Sequence, residues 1–492
     1  MVRIEHPLTR FLLAVLLTVT AYQMRPAAHV GSPDIFVEGH AGPYRLLVTV
    51  RPPYAIPGVA DVEVLTTSDD VRDVRIVPLP LTGPGAQFAP VADRAVRSSE
   101  DRRMFTGHLW LMSAGAWQVR VTIAGERGEG TLSVPVPTLP QATLAMNGGL
   151  RATLFALMLL LAAGFVGIVS ALAREARLGA GEPIDRRARW RGRIAGTIAA
   201  LVVGSVVFLG NMWWTAEASS YARYVYKPLI ATASLHPASR SPRGGEAGVT
   251  PDARLRLDLR DPGWIGSRRL DDFMLDHGHP MHLFVVSPAL DRLWHLHPAE
   301  ISTGAFEQSL PEMPAGRYEM FADLVHATGV SETVTGKVET TAIAGAPLMG
   351  DDSAWSEPDS KATAGANAGK IVWVRDDQPL VTRRLTMLTF RVEDADGQPA
   401  RDLELYMGMP GHAIVMRRDL TVFAHVHPSG SAPMAAMNIA MPQAASHAGH
   451  EVAPPATVTF PYGFPQAGAY RIFVQVKRAG SVVTEVFDAA VK

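Results

Sequence analysis

Histidine recurs in this chain in one repeated setting. His-x-His-Pro occurs at 295–298 and again at 425–428, each time preceded by a further histidine, His282 or His412. Residues two apart in a β-strand point to the same face, so His295 and His297 project together, as do His425 and His427. If 287–290 is a four-residue hairpin loop, His282 sits opposite His295; the same loop at 417–420 sets His412 opposite His425, and cross-strand partners share a face. Three neutral imidazoles gathered in this way can hold one ion at ~2.0 Å.

Imidazole suits Cu(II) and Zn(II), and thioethers select Cu(I). Met407 and Met409 precede His412, and Met434, Met437 and Met441 lie with His447 and His450 in a Met/His-rich insertion at 431–453. Copper is therefore the expected ion, with Met407 and Met409 as soft helpers and the insertion as a mobile capture loop. Because the neutral ring is the ligand, affinity is expected to fall below about pH 6.5.

Other readings of the same residues stand beside this one. His-x-His-Pro can simply end a strand, with its rings bonded to loop backbone, and the insertion can be plain linker. His40, His108 and His326 stand alone and read as structural or solvated. His295 to Glu300 faintly resembles the metal motif of cupins, but Ser429-Gly430-Ser431 follows the second copy and supplies no carboxylate. Asp276 beside His277 is a candidate acid/base pair, yet Tyr406 stands in its place in the other copy. With no Ser/His/Asp set and no phosphate loop, no enzyme is expected.

The elements that must position these rings are two copies of one unit. DHGHPMHLFVVSPALDRLWHLHP from Asp276 aligns without a gap on YMGMPGHAIVMRRDLTVFAHVHP from Tyr406, and Gly316-Arg317-Tyr318 matches Gly468-Ala469-Tyr470 downstream. A shared offset across several identical positions marks a duplication. A third region, 30–148, shares only the closing strand around Gly115–Val121. Short alternating Val/Thr/Leu runs between Gly and Pro predict a mainly β chain with three immunoglobulin-like β-sandwich domains, at 30–148, 250–345 and 370–492. A flexible linker is expected at 346–369, and another around 235–251.

Two uncharged runs, 153–173 and 194–214, have the length a helix needs to cross ~30 Å of hydrocarbon. Arg174, Arg177, Arg186, Arg187, Arg189, Arg191 and Arg193 lie between or beside them, which predicts a cytoplasmic loop. Residues 1–29 carry Arg3 and Arg10 ahead of an apolar run and read as a signal peptide or N-terminal anchor. The expected protein is thus a multi-pass inner-membrane protein with its N- and C-terminal domains in the periplasm and the lipid bilayer as a partner. A net charge of −1 argues against nucleic acid, and the absence of cysteine removes disulfides and thiolate ligands.

The motifs MGMPGH at 407–412, HVHP at 425–428, the 276–282 and 295–298 segments and the closing strand from Gly468 resemble bacterial YtkA-like domains, a grouping near FixH-like and CopC-like periplasmic proteins. The resemblance covers about half of the chain. It implies an immunoglobulin-like fold, and a role either in copper carriage or in assembly of a membrane oxidase or cation pump. CopC-like proteins bind copper through a mature amino-terminal histidine, a site that His29 does not readily supply here.

Overall fold

The computed structural model describes residues 34–179, 181–237, 249–250, 253–264, 268–357, 369–442 and 454–492. The expected signal segment 1–29, His29, His447 and His450 lie outside these residues. The described chain is mainly β, with two long apolar helices.

Strand alternation builds three apolar cores, each between a pair of sheets. The first lies between a five-stranded sheet containing Ile35–Ala41 and Met104–Leu111 and a four-stranded sheet containing Val71–Pro80 and Gly115–Gly125. The second is enclosed by a four-stranded sheet through Ala253–Arg260 and a five-stranded sheet in the order Ser331–Thr340, Gly316–Val325, His282–Val286, Arg292–Leu296, Ser353–Ser356. In Ala253–Arg260 the residues Leu255, Leu257 and Leu259 alternate inward. The third is built the same way from Leu385–Val392 and its neighbours against Gly468–Arg478, His412–Arg417 and Phe423–Val426.

Two expected linkers contain structure. Strand Ile230–Pro237 pairs with Ala253–Arg260 ahead of the anticipated start at 250, and Ser353–Ser356 pairs with Arg292–Leu296 inside the segment 346–369. Both stretches look like linker in composition because short edge strands need little apolar sequence once a neighbour supplies the hydrogen bonds.

The helices Gly148–Glu175 and Arg186–Arg223 contain both anticipated spans and are long and apolar enough to cross a membrane. Asn147 and Asp185 cap them through side-chain oxygens. Where they meet, the second helix presents Ala188, Gly192, Gly196 and Ala199, its only buried residues. A Cβ on Gly192 would come within 3.0 Å of the Ser170 carbonyl, and the Ser170 hydroxyl donates to the Gly192 carbonyl at 2.9 Å. Small residues let the backbones approach this closely.

The two copies pack against each other through the outer faces of their histidine-bearing sheets. Strand His282–Val286 is buried throughout: Leu283 and Val285 enter their own core, while Phe284 and Val286 face the other copy. Ile414, Met416, Phe423 and Phe473 answer from the second copy, and Phe321 and Phe423 stack with centroids 4.7 Å apart. A strand apolar on both faces must be covered twice. This interface continues into the histidines.

Candidate metal centre

Along each strand the histidines keep the face of these interface residues, His282 with Phe284 and Val286, and His295 with Leu293. The hairpin pairs Phe284 with His295 and Leu283 with Leu296, and its copy pairs Ile414 with His425 and Ala413 with Val426. His282 is therefore aligned with His297, and His412 with His427, two residues away from the expected pairing. The turn lies one residue later than expected: the Ser287 N–H bonds the Arg292 carbonyl and the Arg417 N–H the Val422 carbonyl, which leaves 288–291 and 418–421 as the loops, with Leu290 and Leu420 left-handed. A slip of two preserves the face, so the three rings still converge.

Ligand nitrogens of His282, His295 and His297 lie within 4.8 Å of one another, as do those of His412, His425 and His427. The bonding is equivalent in the two sets. His282 Nε2 lies 3.0 Å from the Asp276 carbonyl oxygen, and His412 Nε2 lies 3.1 Å from that of Tyr406. A carbonyl only accepts, so both rings carry hydrogen on Nε2 and a lone pair on Nδ1. That Nδ1 faces His295 Nε2 at 3.2 Å in the first copy and His425 Nε2 at 3.0 Å in the second.

The far nitrogens of these partners point at acceptors supplied by the other copy. His295 Nδ1 is 2.9 Å from Gln475 Oε1, whose amide nitrogen donates to Ser353 and Thr484, and His425 Nδ1 is 3.6 Å from Asp323 Oδ2. With hydrogen on Nδ1, His295 turns a lone pair toward that of His282; the Asp323 carboxylate favours the same tautomer of His425 by charge, at a distance too long for a hydrogen bond. A cation between the rings relieves that opposition. At M–N distances of ~2.0–2.1 Å, two corners of a tetrahedron are about 3.3 Å apart, close to the separations present.

The third ring of the first set is arranged for the same purpose. His297 Nδ1 donates to Asp352 Oδ1 at 3.0 Å, which leaves Nε2 buried and without a hydrogen-bond partner among the described residues. A carboxylate behind a histidine fixes the tautomer that a metal needs. His427 likewise has both ring nitrogens buried and unpartnered. The residues present therefore fit an ion.

Burial governs the charge of the cluster. Desolvation pushes His282 down to about 4 and holds His295, His297, His412, His425 and His427 well below the ordinary histidine range, with neighbouring rings adding to the effect. The rings are neutral, as ligands must be, and proton competition sets in at lower pH than the value near 6.5 expected from the sequence.

Met407 and Met409 occupy the turn that His277 and His279 occupy in the first copy; Met407 meets the cluster through its carbonyl oxygen, 2.8 Å from His277 Nδ1. The first part of the Met/His insertion is a helix, Met434–Ala440, rather than a mobile loop. Met437 and Met441 pack on the first core, and the Ser133 N–H lies 3.4 Å from Met441 Sδ. Packing thus accounts for these two methionines.

Sequence reasoning missed His277, His279, Asp351 and Asp352 as parts of a metal site, besides Asp323 and Gln475 from the strands that follow. His277 and His279 join the cluster, their rings 4.7 Å from His427 and 3.9 Å from His297 respectively. Asp351 and Asp352 come from the presumed linker, with Asp351 Oδ2 3.3 Å from His279 Nε2. The signal for the first pair was the extra histidines of DHGHPMH itself. Elsewhere, His108 is exposed beside Asp61, and buried His326 is held between Asp272 and Glu332.

Residues 366–492 match the family model described as "Domain of unknown function (DUF8832)", about a quarter of the chain. No curated protein matches the sequence. Among solved structures, dimeric latent PorU from Porphyromonas gingivalis is similar at 9% identity over 93% of this chain and 34% of that one, with a TM-score of 0.14. Native E. coli alpha-2-macroglobulin is similar at 10% identity over 95% of this chain and 24% of that one, with a TM-score of 0.19. The D1–D4 ectodomain fragment of ICAM-5 is similar at 7% identity over 89% of this chain and 74% of that one, with a TM-score of 0.15. The chain thus spans about a third or less of the first two structures, and superpositions this loose carry no argument about function.

Proposed function

We propose that this chain is a membrane-anchored metal-binding protein that holds copper, or a comparable imidazole-seeking ion, for handling or delivery outside the cytoplasm. The observation that carries the reading is the pair of facing imidazole nitrogens in each copy, at 3.2 and 3.0 Å, with a third ring beside it. All-nitrogen donor sets of this kind favour Cu(II) and Zn(II) over Cu(I). The helix pair supports a bilayer anchor, and the Arg-rich connection supports an inner-membrane, multi-pass topology with periplasmic sandwiches of the immunoglobulin-like, YtkA-like kind. A membrane metalloenzyme or metal transporter is the partner this role calls for. No catalytic activity is part of the proposal.

The test is metal analysis and titration of the full-length protein in detergent, purified without chelating resin. Two tightly held Cu(II) or Zn(II) ions per chain are expected, with one lost in His282→Ala/His295→Ala and the affinity for the other reduced in His412→Ala/His425→Ala. Two ions retained at wild-type affinity in both variants would refute the assignment.

A second reading has its own observation. His295 with Gln475 and His277 with Met407 bridge the two copies by hydrogen bonds, as structural residues would. On that view the protein is an assembly or interaction module for a membrane partner such as an oxidase or cation pump. Metal-free protein whose melting ignores added copper would favour it.

A further inference from the structure

The two copies are equivalent through their triads but not at the turn before them. Where the second copy has Tyr406 and Met407, the first has Asp276 and His277, and His277 reaches across to the second triad. Its Nδ1 lies 2.8 Å from the Met407 carbonyl oxygen, so Nδ1 carries the hydrogen and Nε2 the lone pair. That Nε2 is buried and has no hydrogen-bond partner among the described residues.

His427 presents the complementary vacancy. Its ring is 2% exposed, and neither nitrogen is partnered among the described residues. The second triad can use only one of them. Asp276 closes the group. It is 7% exposed, its Oδ1 accepts from the Ala435 N–H at 2.7 Å, and it makes no ion pair among the described residues. A buried carboxylate without a cationic partner is costly, and an ion beside it offsets that cost. Ligand atoms of Asp276, His277 and His427 lie within 4.8 Å of one another.

We propose that Asp276, His277 and His427 form a third donor set between the copies, an alternative position for a divalent ion that shares His427 with the second triad. This rests on the reading of the triads as metal sites. Two divalent ions separated by a single imidazole repel strongly in a buried site, so the two positions alternate rather than fill together. The carboxylate oxygen makes the third set harder than the all-imidazole triads and restricts it to divalent ions. Among the described residues Asp276, His277 and His427 are the one such set outside the triads; beside the first triad His279 stacks on His297, and its Nε2 lies 3.3 Å from Asp351 Oδ2. There the Tyr406 hydroxyl donates to the Asp351 carbonyl at 2.7 Å and lies 3.3 Å from His295 Nδ1. An ion can therefore shift sideways from the second triad toward the seam between the copies.

The test is Zn(II) stoichiometry of the full-length chain in detergent, by competition with a chromophoric chelator. Wild type is expected to bind two ions. His412→Ala/His425→Ala is expected to keep the second with weakened affinity, held by Asp276, His277 and His427. Adding His277→Met or Asp276→Asn to that background is expected to remove it. Methionine is tolerated at this turn, since Met407 has the same left-handed conformation (φ 51°) as His277. Circular dichroism melting checks the fold, and His412→Asn/His425→Asn replaces the alanine pair where alanine melts early. If the double variant binds a single ion, or the triple variant still binds two, the third set is overturned while the triads stand. A wild-type chain that binds no Zn(II) overturns both.

Discussion

Asp323 and Gln475 hold the same strand position in the two copies, and each is turned toward the middle histidine of the other. Asp323 pairs with His282 across the sheet and approaches His425, while Gln475 pairs with His412 and approaches His295. Neither triad is complete within its own copy, since the group that orients its middle ring comes from across the interface. The duplicated units therefore act as an internal dimer, and the interface is part of each site.

This arrangement makes Phe284 a shared support. Its ring stacks on His295 at 4.3 Å and also touches Phe423 and His425. Phe284→Ala is expected to cost about 3–5 kcal/mol of stability through the cavity it leaves. It should also weaken ion binding at both triads, although Phe284 belongs to one copy. Denaturant unfolding and calorimetric titration read the two effects. Loss of affinity at the first triad alone would show that the copies work independently.

Stability should respond to acid in a defined direction. The six triad histidines have folded values driven below their unfolded value, chiefly by burial, with His282 down to about 4. As pH falls from ~6.5 toward 4, the unfolded chain takes up protons that the folded rings refuse, so stability is present above that window and lost within it. Asp323 works oppositely. Burial raises it to about 7, so it favours the folded state at low pH and loses that contribution as pH rises. Asp34, Asp352, Glu485 and His326 are raised too and act in the same sense as Asp323, against six rings that burial drives far down. The melting temperature of metal-free full-length protein should fall between pH 6.5 and 4.5; a flat or rising profile would contradict the burial of neutral rings.

Topology is open to direct labelling because the chain contains no cysteine. A single cysteine at Glu182, between the helices, should react with an impermeant maleimide only after the membrane is breached. One at Ser302, on an exposed strand of the first copy, should react from outside. Labelling of both from the same side would rule out the helical hairpin as drawn from the arginine pattern.

Much of the site was legible because strand periodicity is insensitive to the errors made. The hairpin register was misjudged by two residues at both His282 and His412, yet a two-residue slip keeps every ring on its face. The packing of the copies was harder to read. LFVV at 283–286 is apolar at every position, a sign of burial on both faces, but it does not name what covers the second face. Asp352 was hidden because its segment is linker-like in composition, although the strand that follows it pairs with Arg292–Leu296. Met437 and Met441 suggested metal capture because the sequence gives no hint that the first core reaches them.

The central claim is that an ion sits between opposed imidazoles in each copy. Anomalous diffraction from crystals of the full-length protein, loaded with one Cu(II) or Zn(II) per triad, tests it most directly. Two peaks are expected, each about 2.0–2.1 Å from ring nitrogens: one at His282 Nδ1 and His295 Nε2, the other at His412 Nδ1 and His425 Nε2. Peaks confined to surface side chains, with both ring pairs still 3.0–3.2 Å apart and nothing between them, would contradict the account.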